Sequence, residues 1–178
     1  RFSYQEYFER MTDRKSWGKP LSALLGALKM QVEFGLPSIG GKDSMSGTFE
    51  NINVPPMLMA FGITTVDAGQ VISPELKYEG NKLYLIKHTP EANYMPNVEQ
   101  LKANWAYVHE QIQEGNIVSG YALGFGGVAE AICKMSFGNG LDAKIKYDEK
   151  ELFNYGYGSI LVEAEEALDY PNAILIGE

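Results

Sequence analysis

The stretch Gly35–Gly47, G-L-P-S-I-G-G-K-D-S-M-S-G, constrains this chain more than any other. A helical pattern runs into it, a strand-like pattern runs out of it, and its polar residues are concentrated in a few positions. Gly40 and Gly41 allow positive φ and a close backbone approach. Lys42, Asp43, Ser44 and Ser46 add a cation, a carboxylate and two hydroxyls, groups with which a turn can hold phosphate. The spacing is not that of a P-loop, which needs four residues between its glycines and a Ser or Thr after the lysine. Here five residues separate Gly35 from Gly41, and Asp43 follows Lys42. The helix also precedes the loop instead of following it. On local grounds the segment stays open between a phosphate-binding loop and a polar glycine turn.

With 178 residues, 45% hydrophobic and 21% charged, the chain is long enough to bury a sizeable core. A net charge of −8 without any Lys/Arg cluster argues against a nucleic-acid surface, though not against a local phosphate site. No apolar run reaches the roughly 18 residues of a membrane span, and the first residues are polar. The single cysteine, Cys133, leaves no disulfide framework within the chain and fits a reducing, cytoplasmic setting. A start at Arg1 and an end just after an apolar run read as a piece of a longer protein.

Residues 1–16, rich in aromatic and charged side chains, are expected to form a short helix or a docking arm. Leu21, Leu24, Leu25, Leu28 and Val32 recur at helical spacing, with Pro20 suited to the first turn and Gly35 to the stop. Strands are expected at 37–39, 57–66, 82–87, 117–123, 143–147, 159–162 and 173–176. Further helices are expected at 98–114, 126–137 and, Glu-rich and short, 163–168. Strands alternating with helices predict an α/β or α+β fold, a mixed sheet flanked by helices. A boundary near 67–81 divides the chain into residues 1–66 and 67–178.

A second glycine cluster, G-Y-A-L-G-F-G-G-V-A-E over Gly120–Glu130, leads from a strand pattern into a helix. Gly124, Gly126 and Gly127 are therefore second candidates for holding a phosphate. Gly124-x-Gly126-x-x-Ala129 also matches the dinucleotide fingerprint, with Asp148 near the position of the ribose-binding acid. A plain strand-to-helix turn accounts for the same residues. His88 and His109 lack the partners of a metal site and read as surface or packing residues. Cys133 reads as a buried, inert thiol. Glu163, Glu165 and Glu166 read as a solvated helix start, and Tyr155 and Tyr157 as a loop aromatic pair. No residue pattern identifies a protein nucleophile or a metal-ligand set.

The run P-S-I-G-G-K-D-S-M-S resembles the P-V-G-K-D-S-M-S signature in the second half of the large phosphoribosylformylglycinamidine synthases. The similarity extends through Ile72-Ser73-Pro74-Glu75-Leu76, Gly80–Ile86, Gly126-Gly127 with Met135–Gly138, Leu152-Phe153-Asn154 with Gly158, and Ile176–Glu178. From about Trp17 onward the chain looks like that family, part of the aminoimidazole ribonucleotide synthetase superfamily. The resemblance implies that residues 1–66 are the end of an N-terminal-type synthetase domain and residues 67–178 a C-terminal-type domain.

It also implies an ATP- and glutamine-dependent amidoligase of purine synthesis, with ATP and Mg2+ as cofactors. In that reaction ATP phosphorylates the amide oxygen of formylglycinamide ribonucleotide, and ammonia then displaces the phosphate. Gly40, Gly41, Lys42, Asp43, Ser44 and Ser46 would be the ATP- and substrate-binding residues. Lys42 would stand where smaller members carry a magnesium-binding Asn and would supply charge in place of a metal. The partners implied are the other synthetase half and a glutaminase domain, so the piece alone should not turn over. One departure stands out: the family's H-D-x-S-D-G-G is Y-A-L-G-F-G-G here, without the Asp of an auxiliary magnesium–nucleotide site. A non-catalytic scaffold half and a dinucleotide-binding domain using Gly124 and Gly126 remain the alternatives.

Overall fold

The computed structural model describes residues 1–178, which divide into two compact units, Arg1–Thr65 and Val66–Glu178. In the first, β1 (Phe2–Tyr7) and β2 (Ser38–Ser44) run parallel, joined by helix α1 (Arg14–Phe34), and β5 (Met57–Gly62) pairs antiparallel with the other side of β1. The sheet order β2-β1-β5 makes β2 an edge strand. Two short strands, β3 (Thr48–Phe49) and β4 (Ile52–Asn53), form a hairpin between β2 and β5, turning through Glu50 at φ 52°.

Residues 1–16 thus hold the central strand rather than a helix or an arm. Pairing on both sides explains it: β1 bonds to β2 on one side and β5 on the other, and Glu6 within it is buried at 4% exposure. Helix α1 also starts earlier than Pro20. Asp13 caps it by accepting from the Ser16 N–H at 2.8 Å, while the Ser16 hydroxyl accepts from the Asp13 N–H, a reciprocal box that overrides the proline signal. Pro20 therefore lies inside the helix, where its missing N–H removes one helical bond. Gly35 ends the helix at φ 63°, with the Leu36 N–H donating back to the Gln31 carbonyl. The inward side of α1 carries Ser16, Pro20, Ala23 and Ala27, whereas Leu21, Leu24, Leu25, Leu28 and Val32 are 51–72% exposed. Periodicity locates the apolar stripe; it does not say what the stripe faces.

In the second unit β6 (Lys82–Ile86), β7 (Ile117–Ala122), β8 (Ile160–Ala164) and β9 (Ala173–Gly177) form one sheet of order β7-β8-β6-β9, antiparallel throughout. Helices α2 (Val98–Gln113) and α3 (Gly127–Phe137) supply residues to two separate cores. Alternation along β6 feeds both: Leu83 and Leu85 join Val128, Ala131 and Met135 of α3, while Tyr84 and Ile86 join Val108 of α2. A sheet buried on both faces needs apolar side chains at consecutive positions, as in L-Y-L-I.

Two expected elements are absent. Residues 143–147 make only an isolated bridge, Ile145 to Gly177. The Glu-rich helix at 163–168 is replaced by the end of β8 and a bend. Glu163 is not solvated; at 1% exposure it accepts from the Lys77 and Tyr78 N–H groups at 2.8 and 3.0 Å, Asn81 Nδ2 at 2.8 Å and Ser119 Oγ at 2.9 Å. Four donors satisfy a buried carboxylate without a cation and tie the 77–81 turn to the sheet. Cys133, expected inside, is exposed, because the inward face of α3 is set by Val128, Ala131 and Met135. His88 is a packing residue at 8% exposure, with Nδ1 2.9 Å from the Tyr157 carbonyl and Nε2 accepting from the Asn97 N–H at 3.1 Å; His109 lies on the surface.

Glu163→Ala strands four buried donors and is expected to lower the urea-unfolding free energy by about 3 kcal/mol or more, with Glu163→Gln costing less. A second expectation concerns Glu75, whose carboxyl is held down to about 2 by hydrogen bonds from Lys77 and the Ser73 hydroxyl. Since the folded value lies below the ordinary 4.5, its stabilising contribution is fully present above that pH and is lost as pH falls toward 2. A carboxyl-carbon NMR titration should place the Glu75 midpoint near 2 and move it upward in Lys77→Met.

Candidate functional site

The segment expected to be a phosphate-binding loop is mostly strand. Gly40, Gly41, Lys42, Asp43 and Ser44 lie on β2, and Ser46 follows it. Parallel pairing places Gly41 opposite Tyr4, Lys42 opposite Gln5, Asp43 opposite Glu6 and Ser44 opposite Tyr7. Gly41 is required by that pairing: a Cβ there would lie 2.3 Å from the Tyr4 carbonyl oxygen. Gly40 is different, because its φ of 149° favours glycine while the space beside it is open.

One side of β2 is therefore committed to β1, and the other side is an unpaired edge. Residues 38–43 are exposed along it. The Lys42 ammonium makes one weak bond, 3.5 Å to the Asp43 carbonyl. Alternation sends Lys42 and Ser44 to one face of the sheet and Asp43 to the other. Five of the six expected residues thus stand along one strand edge, with Ser46 just beyond it; together they offer a cation, edge N–H groups and two hydroxyls, a donor set suited to phosphate oxygens. Asp43 is their single carboxylate and the strongest hard-cation ligand among them.

The sequence reading missed Glu6. It adjoins Asp43 on the central strand, and burial first, then the Asp43 charge, pushes its carboxyl above the ordinary range. Buried glutamates in strands give no periodicity signal of their own, so only the register brings the two together.

The second cluster behaves otherwise. Gly124 and Gly126 lead into α3, and Gly127 has φ 62°, where an added Cβ would meet the Asn154 and Leu152 carbonyl oxygens at 2.3 and 2.8 Å. The Gly126 N–H donates to Glu130 Oε2 at 2.9 Å and the Ala129 N–H to the Leu152 carbonyl at 2.9 Å. Lys134 reinforces this cap, with Nζ 2.6 Å from Glu130 Oε1 and 2.8 Å from the Tyr121 hydroxyl; these contacts hold the Glu130 carboxyl below its usual range. Helix-start donors that would receive an external phosphate are thus used by the chain itself. Phe125 is 71% exposed and stacks on Tyr155 at 4.9 Å between ring centroids, with Tyr157 tilted against Tyr155 at 6.0 Å.

Beside this turn lies a cavity of about 220 Å3 lined by Leu85, Leu123, Val128, Lys87, Tyr147 and Glu151 among others. In its lining Glu151 accepts from the Tyr147 hydroxyl at 2.9 Å and from Lys87 at 3.2 Å, and burial pushes the Tyr147 hydroxyl up to about 12. The dinucleotide alternative fails on topology. That fingerprint needs a parallel β-α-β unit, whereas β7 pairs antiparallel with β8 and no full strand carries Asp148. No group of three or more His, Cys, Asp or Glu is arranged to hold a metal, and no helix is long and apolar enough to cross a membrane.

The same pair of units occurs in known structures. PurL of Thermotoga maritima, phosphoribosylformylglycinamidine synthase II, superposes in its ATP complex with a TM-score of 0.67 over 99% of this chain at 12% identity. The PurL complex with FGAR gives 0.67 over 99% at 20% identity. HypE of Escherichia coli, a hydrogenase maturation protein, gives 0.68 over 99% at 10% identity. The fold is that of PurL and HypE. It is the α+β fold of the aminoimidazole ribonucleotide synthetase-like proteins. The chain spans 33% and 27% of the two PurL chains and 65% of HypE. No protein-family model matches the chain, and no curated protein matches it.

Gly127→Ala has no room for its Cβ and also forces a left-handed residue, so it is expected to destabilise the protein by about 2 kcal/mol or more. Gly124→Ala, with open space around it, should cost far less in the same thermal-unfolding measurement.

Proposed function

We propose that this chain is part of an ATP-dependent amidoligase that converts formylglycinamide ribonucleotide to formylglycinamidine ribonucleotide, and that the edge of β2 forms one wall of its ATP and substrate site. The observation that carries this reading is the placement of G-G-K-D-S on an exposed, unpaired strand edge. Fold likeness to PurL, which binds ATP and FGAR, supports it. Residues 1–66 act as the end of the N-terminal-type domain and residues 67–178 as the C-terminal-type domain, in a protein whose other synthetase half and glutaminase complete the catalytic unit.

In this reading no side chain of the chain is a covalent nucleophile. ATP phosphorylates the substrate amide oxygen, releasing ADP, and ammonia displaces the phosphate. The protein's part is positioning and charge neutralisation. Lys42 offsets phosphate charge, and Ser44, Ser46 and the backbone at Gly40–Gly41 orient the oxygens. Mg2+, when bound, would neutralise the triphosphate, and the Asp43 carboxylate would be its strongest ligand in the segment.

For the second cluster a supporting role is favoured, because Glu130 and the Leu152 carbonyl already satisfy its helix-start N–H groups. Gly124, Gly126 and Gly127 then serve packing, and phosphate at this turn would have to displace Glu130.

Titrating the chain with ATP, ADP and NAD by calorimetry tests the proposal. Adenine nucleotide binding weakened about tenfold by Lys42→Met, roughly 1.4 kcal/mol, is expected. Binding of NAD in preference to ATP, or ATP binding untouched by Lys42→Met and Ser44→Ala, would overturn it.

A further inference from the structure

Glu6 Oε1 is the one buried side-chain oxygen or nitrogen in the protein without a hydrogen-bond partner. The side chain it belongs to is 4% exposed and sits on the central strand of its sheet. Its register partner on β2 is another carboxylate, Asp43. Register partners on neighbouring strands leave the sheet on the same face with backbones about 4.8 Å apart. Like charges placed directly opposite each other destabilise a sheet, and a buried, unpaired carboxylate is costly. Neither residue forms an ion pair: the seven in the protein involve other side chains. Lys42, the nearest lysine in sequence, belongs to the opposite face.

Such a pair is relieved by a proton on the buried carboxyl, by a proton shared between the two, or by a cation, and a proton on Glu6 alone would leave its Oε1 without a partner all the same. A shared proton joins two carboxyls through a short hydrogen bond, and Glu6 Oε1 makes none. Burial first, and the Asp43 charge after it, disfavours the Glu6 carboxylate. Register pairing sets the two side chains next to each other on one face of the strand pair, where a single cation can lie between their carboxylates. Asp43 is exposed and gives solvent access, while Glu6 offers an oxygen that no protein group uses.

We propose that Glu6 and Asp43 together bind a divalent cation of the magnesium class on the β1–β2 strand pair. Both ligands are hard oxygens with no His or Cys among them, which selects magnesium or manganese over zinc or copper. Two carboxylates match the usual protein share of a Mg2+ shell, the rest being water or phosphate oxygen. The site stands on the Glu6–Asp43 geometry alone and is measured without nucleotide. Its failure therefore leaves the ATP-binding role of the β2 edge untouched, and the reverse also holds.

The test is Mn2+ titration of the chain, following the loss of the free-ion electron paramagnetic resonance signal, with Mg2+ as competitor. One site with a dissociation constant of about 1 mM or tighter is expected, displaced by Mg2+. Glu6→Gln and Asp43→Asn should each weaken it by about tenfold or more, whereas Asp67→Asn, in the other unit, should leave it unchanged. Without metal, Glu6→Gln should unfold at a higher temperature than the wild type, since it removes the repulsion and preserves the shape; this also establishes that the variant folds. Equal Mn2+ binding by wild type, Glu6→Gln and Asp43→Asn would overturn the site. So would a wild-type chain that leaves the signal unchanged at millimolar Mn2+.

Discussion

Parallel pairing of Phe2–Tyr7 with Ser38–Ser44 leaves no room for a side chain at Gly41, whose Cβ would fall against the Tyr4 carbonyl. That close approach organises the first unit. It places β1 at the centre of the sheet, makes β2 an edge, and sets Glu6 beside Asp43. It also gives the adjacent glycines separate tasks. Gly41 serves strand pairing, and Gly40, with open space beside it, is free for a ligand. A residue type that looked functional in the sequence is partly architectural.

The second unit rests on a different device, a buried charge without a counter-charge. Glu163 is held by four donors drawn from the 77–81 turn and from Ser119 on β7. Hydrogen bonds to a charged acceptor are stronger than neutral ones, and with several of them a carboxylate tolerates the interior. Glu130 applies the same principle at the surface, where it caps the start of its own helix. Two glutamates therefore do internally what an anion or an ordered solvent molecule would otherwise do. The glycine turn at 124–127 is consequently well packed and poorly placed to bind phosphate.

Much of the fold was legible in the sequence. The strands at 82–87, 117–123 and 173–176 and the helices at 98–114 and 126–137 follow from short-range pattern, because a sheet buried on both faces or a helix with one apolar side repeats at a fixed period. Three failures have physical reasons. The first residues were misassigned because a half-buried strand with Gln5 and Glu6 at its centre lacks clean alternation. Glu163 was placed outside because a glutamate reads as solvated unless its donors are visible, and those lie 44 to 86 residues away. Cys133 was placed inside because α3 is apolar on more than one side, and only packing selects which side faces the sheet.

By itself the sequence determined most of the element types, the helix stop at Gly35, and the concentration of Gly40, Gly41, Lys42, Asp43, Ser44 and Ser46 in one segment, since these depend on neighbours within a few residues. Only the tertiary structure decided that this segment is an edge strand, that Glu6 lies beside Asp43, and that Gly126 is capped from within. Each of those is set by strand register or by close contact between chain segments, and one residue of register exchanges every side chain between the two faces of a sheet.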